Sequence, residues 1–252
     1  MEIERGTAIV TGAAKRVGAV VAKALSADGW SIVAHVHDAG DEVGEGMTKV
    51  VADLAEPDCA ERIFAAATGL PPVRLLVNNA ARFAGDSVEN FSAGEFDAHM
   101  SVNLRAPALL TRAFAGRCAG DGLIVNLLDA KLNAPNADFL SYTLSKYALA
   151  GLTELSARAL AERGIRVCGI APALMLRSPG QSAANFAAAH AHNPLGRGVE
   201  PDDVVAALRY LVAAKAVTGE VLTIDGGQRF WSLERDVQFL SPSGDGQFQE
   251  LP

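Results

Sequence analysis

Short apolar segments rich in β-branched residues alternate with longer amphipathic patterns along most of the chain. The short segments predict strands at 7–10, 30–36, 48–51, 73–77, 123–128, 166–170 and 221–224. Apolar positions three or four residues apart predict helices at 17–28, 57–67, 92–103, 106–115, 139–163 and 200–215. Since no internal repeat and no linker interrupts it, this alternation indicates one α/β domain built on a parallel sheet.

Two connections depart from the alternation. Segment 38–46 carries several glycines and acidic residues, which predicts a loop or a single turn in place of a crossover helix. Segment 173–199 lacks strong periodicity until an alanine-rich patch. A long connection near the carboxyl edge of a sheet is a candidate substrate lid.

The composition narrows the possible functions. The 252 residues carry a net charge of −7 and a pI of about 5.3, which argues against nucleic acid or an anionic membrane as the main partner. The chain shows no signal-peptide pattern and no apolar run of about 18 residues, so a cytoplasmic protein is predicted. Cys59, Cys118 and Cys168 are far apart and are expected to be buried free thiols. No residue set has metal-ligand spacing, so no metal is predicted.

A glycine turn follows the first strand. Residues 11–18 (TGAAKRVG) join that strand to the start of a helix. Backbone N–H groups and the positive helix end make such a junction a phosphate site. The alternative is that Gly12 and Gly18 only form a tight turn.

Charges near this turn indicate which dinucleotide fits. Dinucleotide enzymes often place an acidic residue at the end of the second strand, where it holds the ribose 2′-hydroxyl. Here Val36 and His37 occupy that end. Lys15 and Arg16 supply cationic charge suited to a 2′-phosphate, which favours NADPH over NADH. Asp38, which comes slightly later, argues instead for NADH, unless it caps a turn.

Tyr142 and Lys146 lie four residues apart on a predicted helix and therefore share one face. A phenol titrates near pH 10 unaided. The lysine ammonium is expected to lower the pKa of Tyr142 and make the phenol a usable general acid/base. Asp129 follows a buried strand and is placed to meet the same substrate. The alternative makes Tyr142 an amphipathic core residue and Lys146 a solvated charge.

Amide side chains mark two further positions. Asn78 and Asn79 follow the fourth strand, where small and amide residues suit close approach to a ligand. Asn103 lies among apolar residues, and a buried amide needs partners, either backbone groups or a water. Without the other motifs, Asn103 is interpreted as a structural residue and not as part of a site.

The order and spacing of these features resemble the short-chain dehydrogenase/reductase family over about residues 5–227. The matching features are the turn TGAAKRVG, Asn78-Asn79-Ala80, Asn103, Tyr142-x-x-x-Lys146 and Asp225-Gly226-Gly227. The resemblance implies a doubly wound (Rossmann-type) seven-stranded parallel sheet in a single domain and a homotetramer. Residues 228–252 form a C-terminal tail that is expected to pack on the domain or on a neighbouring subunit.

The resemblance also assigns roles. Tyr142 would be the proton donor, Lys146 would bind the nicotinamide ribose and tune Tyr142, and Asn103 would support a water relay. The cofactor would lie against Gly12, Lys15, Arg16, Val17, Gly18, His35, His37, Asp53, Leu54, Asn79, Ala80, Tyr142, Lys146 and Pro172.

Two departures narrow the comparison to pteridine reductases and dihydromonapterin reductases. The family usually has Gly where Arg16 stands and Ser where Asp129 stands, and those reductases carry Arg and Asp there. Phe83 occupies the position of their pterin-stacking aromatic residue. The substrate is therefore predicted to contact Arg16, Phe83, Asp129, Tyr142 and Leu174.

The residue chemistry agrees with such a substrate. A flat, electron-poor heterocycle is held by stacking, and reduction of its C=N bond requires a hydride and a proton. An ionised Asp129 would repel the alkoxide that forms during ketone reduction. The leading hypothesis is an NADPH-dependent pterin reductase. The alternatives are a short-chain reductase of another carbonyl or imine, and a non-catalytic NADP-binding sensor or scaffold.

Overall fold

A seven-stranded parallel sheet forms the centre of the protein, with strand order β3-β2-β1-β4-β5-β6-β7. The computed structural model describes residues 5–118, 120–178, 181–231, 233–242 and 248–250. The order reverses between β1 and β4, which confirms the doubly wound topology. The strands are Thr7–Val10 (β1), Ser31–Val36 (β2), Thr48–Val51 (β3), Val73–Asn78 (β4), Gly122–Leu127 (β5), Ile165–Pro172 (β6) and Val221–Ile224 (β7).

Helices cover both faces of the sheet, which is why three of its central strands, 7–10, 122–127 and 165–172, are buried along their whole length. One core cluster lies under α1 and α7, and the other lies under α2 and α4. The helices are Arg16–Ala27 (α1), Cys59–Ala65 (α2), Ala93–Met100 (α3), Ala106–Arg117 (α4), Leu140–Leu160 (α5), Ala183–Ala191 (α6) and Pro201–Ala213 (α7).

Three connections differ from the sequence prediction. Helices α3 and α4 are joined by a π-helical turn, Ser101–Arg105, that lies directly before Pro107. Because Pro107 has no N–H to donate, the regular ladder is interrupted there. The connection after β6 contains α6, whose alanine-rich sequence has little amphipathic pattern. Strand β6 extends through Pro172, where the missing N–H falls on its last residue.

The described part of the tail forms short elements outside the main sheet. Two 3₁₀ turns, Gln228–Phe230 and Val237–Phe239, precede an antiparallel pair of strands, Leu240–Pro242 (β8) and Phe248–Glu250 (β9). The three cysteines are free and buried, as predicted. Among the described residues, no helix combines the length and apolar character needed to cross a membrane.

Candidate active site

Asp129, Tyr142 and Lys146 meet at the carboxyl end of β5. Asp129 lies two residues after the end of that strand, and the other two residues lie in the first two turns of α5. The Tyr142 hydroxyl donates a 2.8 Å hydrogen bond to Oδ2 of Asp129, whose Oδ1 accepts from the backbone N–H of Lys131 at 2.9 Å. Lys146 Nζ donates to the Leu127 carbonyl at 2.7 Å. The three side chains therefore form one buried acid–base cluster.

The electrostatics of this cluster correct one expectation. Burial, with Asp129 alongside, raises the pKa of Tyr142 well above its ordinary value, whereas Lys146 was expected to lower it. The lysine points instead to a backbone carbonyl, and its Nζ lies 5.6 Å from the centroid of the Tyr142 ring. Burial lowers the pKa of Lys146 to about 8 and raises the pKa of Asp129. Asp129, rather than Lys146, is therefore the hydrogen-bond partner of the Tyr142 phenol.

A pocket of about 130 Å³ opens beside this pair. Four residues of the sequence prediction line it: Phe83, Asp129, Tyr142 and Leu174. The remaining polar and aromatic lining was not predicted residue by residue and includes Lys131, Gln228, Arg229, Trp231 and Asp236. Several of these belong to the tail, so the tail walls the pocket of its own domain.

Phe83 stands at the exposed side of the pocket. Its ring stacks on Phe139 at a centroid distance of 4.6 Å and meets the Tyr142 ring edge-on at 4.8 Å. Phe139 in turn stacks on Phe239 of the tail at 5.6 Å. Phe83 remains 43% exposed, so part of its ring surface is available to a flat ligand.

Ion pairs fasten the tail to the segment that links β5 to α5. Arg235 Nε lies 3.0 Å from a carboxylate oxygen of Asp138, which also accepts a 2.7 Å hydrogen bond from the backbone N–H of Asp236. The Asp236 side chain pairs with Lys131 at 3.1 Å. Because Lys131 follows Asp129 by two residues, the tail is tied closely to the acid–base cluster.

The glycine turn fits a dinucleotide phosphate. A Cβ atom on Gly18 would lie 2.0 Å from the Gly12 carbonyl oxygen, so this close approach excludes a side chain. Gly12 has a φ of +65°, the left-handed region that favours glycine. The side chain of Lys15, the N-cap residue of α1, makes no capping hydrogen bond, which leaves the positive end of the helix available to an anion.

Polar residues behind the turn hold its shape. The Thr11 hydroxyl accepts from the backbone N–H groups of Asn79 and Ala80 at 2.9 and 3.0 Å. The Asn79 side chain donates to the Thr11 carbonyl at 2.8 Å. Gly12 N–H donates to Nδ1 of His35 at 3.1 Å. Thr11 opens the turn TGAAKRVG but is not among the residues predicted to contact the cofactor, although its position directly before Gly12 was an available signal.

The two predicted cations of the turn point in different directions. Lys15 pairs with Asp41 at 2.5 Å and keeps a largely exposed side chain. Arg16 donates to the Leu176 and Arg177 carbonyls, so it links the turn to the segment after β6. Its φ of +53° places a non-glycine residue in the left-handed region.

The other predicted cofactor residues lie around the carboxyl edge of the sheet, with unequal access to a ligand. The His35 side chain is buried, and its second nitrogen lies 3.0 Å from the Ala52 carbonyl oxygen, so both ring nitrogens have protein partners. His37 is exposed at the end of β2. Leu54 is buried, and the Asp53 carboxylate accepts from the Ala55 N–H at 2.8 Å. Val17 packs against the core, and Pro172 ends β6.

Asn103 lies on the π-helical turn and is buried. Its amide oxygen accepts from the Arg82 N–H at 2.7 Å, and its amide nitrogen donates to the Arg82 carbonyl and to the Ser145 hydroxyl. Asn103 therefore connects the loop after β4 to α5. Within the part of the chain that the structure describes, no cluster of three or more His, Cys, Asp or Glu residues is placed to hold a metal ion.

Comparisons with known proteins agree with this architecture. Residues 12–229 match the family model described as enoyl-(acyl carrier protein) reductase. A 3beta-hydroxysteroid dehydrogenase 1 from Eggerthella lenta is 32% identical over 258 residues, covering 91% of this chain and 96% of that protein. Pteridine reductase 1 from Leishmania tarentolae is 29% identical over 284 residues, covering 90% and 96%.

Solved structures of related proteins also match this chain over most of its length. FolM alternative dihydrofolate reductase 1 from Brucella suis, in complex with NADP, matches with a TM-score of 0.83 and 31% identity, covering 92% of this chain and 97% of that one. A short-chain dehydrogenase from Burkholderia cenocepacia, also in complex with NADP, matches with a TM-score of 0.82 and 28% identity, covering 90% and 99%. The sheet, the glycine turn, the Tyr142–Lys146 pair and these matches together show that the chain belongs to the short-chain dehydrogenase/reductase family of oxidoreductases.

Proposed function

We propose that the protein reduces the C=N bond of a pterin or a closely related heterocycle, with NADPH as the reductant. The observation that carries this proposal is the Asp129–Tyr142 hydrogen bond beside a pocket that Phe83 lines. The pteridine reductase and FolM relatives support the same substrate class.

The cofactor is held by this chain's own groups. The uncapped end of α1 and the glycine turn receive the phosphates, and Lys146 binds the nicotinamide ribose. Lys15, which pairs with Asp41 in the structure, would supply positive charge to the 2′-phosphate. NADPH supplies the hydride that reduces the substrate carbon. The NADP complexes among the related structures support this choice of cofactor.

Asp129 and Tyr142 handle the proton as a unit. The raised pKa of each group keeps a proton on the pair at higher pH than an exposed carboxyl would. Tyr142 donates its proton to the ring nitrogen of the substrate, and the phenolate that remains takes a proton from solvent before the next turnover. Asp129 stays a carboxylate throughout and holds the phenol by accepting its hydrogen bond.

Pocket shape and polarity fit a flat ring with a polar edge. Phe83 stacks on one face of the ring, and Asp129 accepts hydrogen bonds from its amino and N–H groups. Arg16 stabilises the segment after β6, which includes the pocket residues Leu174 and Ser178.

A second candidate is reduction of an ordinary carbonyl, which the hydroxysteroid dehydrogenase relative favours. The lining argues against it, because a carboxylate at Asp129 repels the alkoxide that forms at the carbonyl oxygen. A catalytic Ser hydroxyl, the usual family residue at this position, would have no such effect.

We also propose a homotetramer. Leu144, Tyr147 and Leu155 are exposed along one face of α5, and the space above Gly151 on the same face is open. Such an apolar face on the helix that carries the active site suits contact with a second copy of the chain. Light scattering of the purified protein measures the assembly.

The substrate is tested by following NADPH absorbance with dihydrobiopterin, dihydromonapterin, dihydrofolate and several activated ketones. We expect turnover of at least one pterin with a higher kcat/KM than any ketone. Turnover of ketones alone would exclude the pterin proposal and favour the second candidate.

A further inference from the structure

Asp86 binds the start of the catalytic helix α5 from a different loop. Its Oδ1 accepts a 3.0 Å hydrogen bond from the backbone N–H of Ser141, and its backbone carbonyl accepts from the N–H of Leu140 at 3.3 Å. These are the first two N–H groups of the helix, which have no partner inside it. Asp86 therefore caps the N-terminus of α5, although it lies more than fifty positions before the helix in the chain.

The residue that would normally cap the helix does not. Phe139 at the N-cap position has no oxygen in its side chain, and its φ of +59° lies in the left-handed region. That conformation costs a non-glycine residue free energy. The first turn of α5 is thus strained and lacks a local cap, and contacts from outside the helix must hold it in place.

Tyr142 lies in this same first turn. The hydrogen bond from its hydroxyl to Asp129 depends on where the turn places the phenol ring. Asp86 follows Phe83 by three residues, so the segment 83–86 contacts the substrate pocket at one end and the catalytic helix at the other.

Burial at this contact adds a second observation. Oδ2 of Asp86 and the hydroxyl of Ser141 are both buried and have no hydrogen-bond partner among the described residues. Buried polar atoms without partners are uncommon because desolvation is costly. A purely structural cap is available at lower cost from a Ser or Asn within the helix itself.

We propose that Asp86 is a positioning residue for the reaction: by capping α5 from the loop that carries Phe83, it holds Tyr142 in register with Asp129. The inference rests on the proposed role of Tyr142 as proton donor. It does not depend on which substrate the enzyme reduces.

The test compares wild type, Asp86→Ala, Asp86→Asn, Asp203→Ala and Tyr142→Phe. Asp203 is the matched control, because its carboxylate accepts from the Glu200 N–H at 2.9 Å at the start of α7, a helix that carries no residue of the site. Each variant is measured for kcat and KM with the best substrate, for melting temperature, and for NADPH-binding stoichiometry by fluorescence. The stoichiometry corrects kcat for any unfolded fraction.

We expect Asp86→Ala to lower kcat per NADPH-binding site at least about tenfold with a smaller change in KM, since displacing a reacting group by about 1 Å can cost on the order of a hundredfold. Asp86→Asn, which keeps an acceptor of the same shape, should restore most of the rate. Asp203→Ala should lower the melting temperature and leave kcat unchanged. An unchanged kcat in Asp86→Ala, or an equal loss in Asp203→Ala, would overturn the proposal.

Hydrogen exchange on the wild-type protein gives a test that needs no variant. The amides of Leu140 and Ser141 should exchange slowly, and exchange as fast as that of exposed loop amides would also overturn the proposal. The proposed role of Asp86 and the proposed substrate can be refuted independently of each other. An enzyme that reduces only ketones refutes the pterin substrate but leaves the Asp86 comparison valid, whereas full activity in Tyr142→Phe refutes the role of Tyr142.

Discussion

The hydroxyl of Tyr142 donates a 2.8 Å hydrogen bond to the carboxylate of Asp129, and both side chains line the same pocket. An acid and a phenol in contact cannot be treated as separate titrating groups, since the charge on one raises the pKa of the other. The pair separates the proposed pterin reduction from the ordinary carbonyl chemistry of the family, in which a neutral hydroxyl is sufficient.

Replacing Asp129 tests this division directly. Asp129→Ala removes a charge-assisted hydrogen bond worth about 1.5–3 kcal/mol, so pterin reduction should fall roughly ten- to more than a hundredfold. Asp129→Ser recreates the usual family arrangement and should gain weak ketone reduction. Steady-state kinetics with one pterin and one activated ketone measure both effects. Full pterin activity in Asp129→Ala would show that Asp129 has no role in the reaction.

Phe83 should act on binding more than on chemistry. Its ring is partly exposed at the pocket and stacks on Phe139. Loss of an aromatic stack costs about 0.5–1.5 kcal/mol, so Phe83→Ala should raise KM for a pterin about two- to tenfold with little change in kcat. Phe91→Ala is the control, because Phe91 is similarly exposed but does not line the pocket. Equal effects of the two substitutions would argue against stacking on Phe83.

Cofactor preference should depend on the pair formed by Lys15 and Asp41. The wild-type enzyme should have a higher kcat/KM with NADPH than with NADH. Lys15→Ala should lower the NADPH value about fivefold, as for loss of a surface ion pair, and leave the NADH value unchanged. Asp41→Asn releases Lys15 and should increase the preference for NADPH. Equal use of both cofactors by the wild type would mean that Asp38 outweighs the basic residues.

The sequence predicted elements whose signal is local. The seven strands, the glycine turn and the Tyr142–Lys146 spacing all follow from residues near one another in the chain, and the structure has them. Arg16 at a φ of +53° shows the limit of such reasoning, because nothing in the identity of an arginine indicates a left-handed backbone. The raised pKa of Tyr142 was missed because burial, which sets its direction, depends on packing of the whole cluster.

Contacts between distant segments were beyond prediction for a similar reason. Lys131 and Asp236 are more than one hundred residues apart, and no periodicity relates them. Asp86 and Ser141 are 55 residues apart, and no periodicity relates them either. The sequence predicts a tail that packs on the domain or on a neighbouring subunit, but only the structure shows Phe239 stacked on Phe139.

Lys146 should make the cofactor-free protein more stable as the pH rises. Its pKa is lowered by burial from 10.5 to about 8, so between these values the unfolded state binds more protons and wild-type stability gains with rising pH. Lys146→Met removes this contribution. The stability of the variant relative to wild type should therefore decline by about 3 kcal/mol from about pH 7 to above pH 10. Denaturant titrations of both proteins measure it, and a constant difference would contradict a lowered pKa.

The tail should contribute to substrate binding through the segment 233–239. Arg235 and Phe239 fasten this segment to the β5–α5 connection, and Asp236 lines the pocket. Truncation after Gly227 removes these contacts and should raise KM for the substrate while the NADPH affinity stays close to wild type. Truncation after Pro242 keeps the segment and serves as the matched control, with KM unchanged. If the tail also crosses between subunits, as its apolar sequence first suggested, the shorter protein will elute as a smaller oligomer. Unchanged kinetics and oligomer size in the Gly227 truncation would show that the tail contributes to neither.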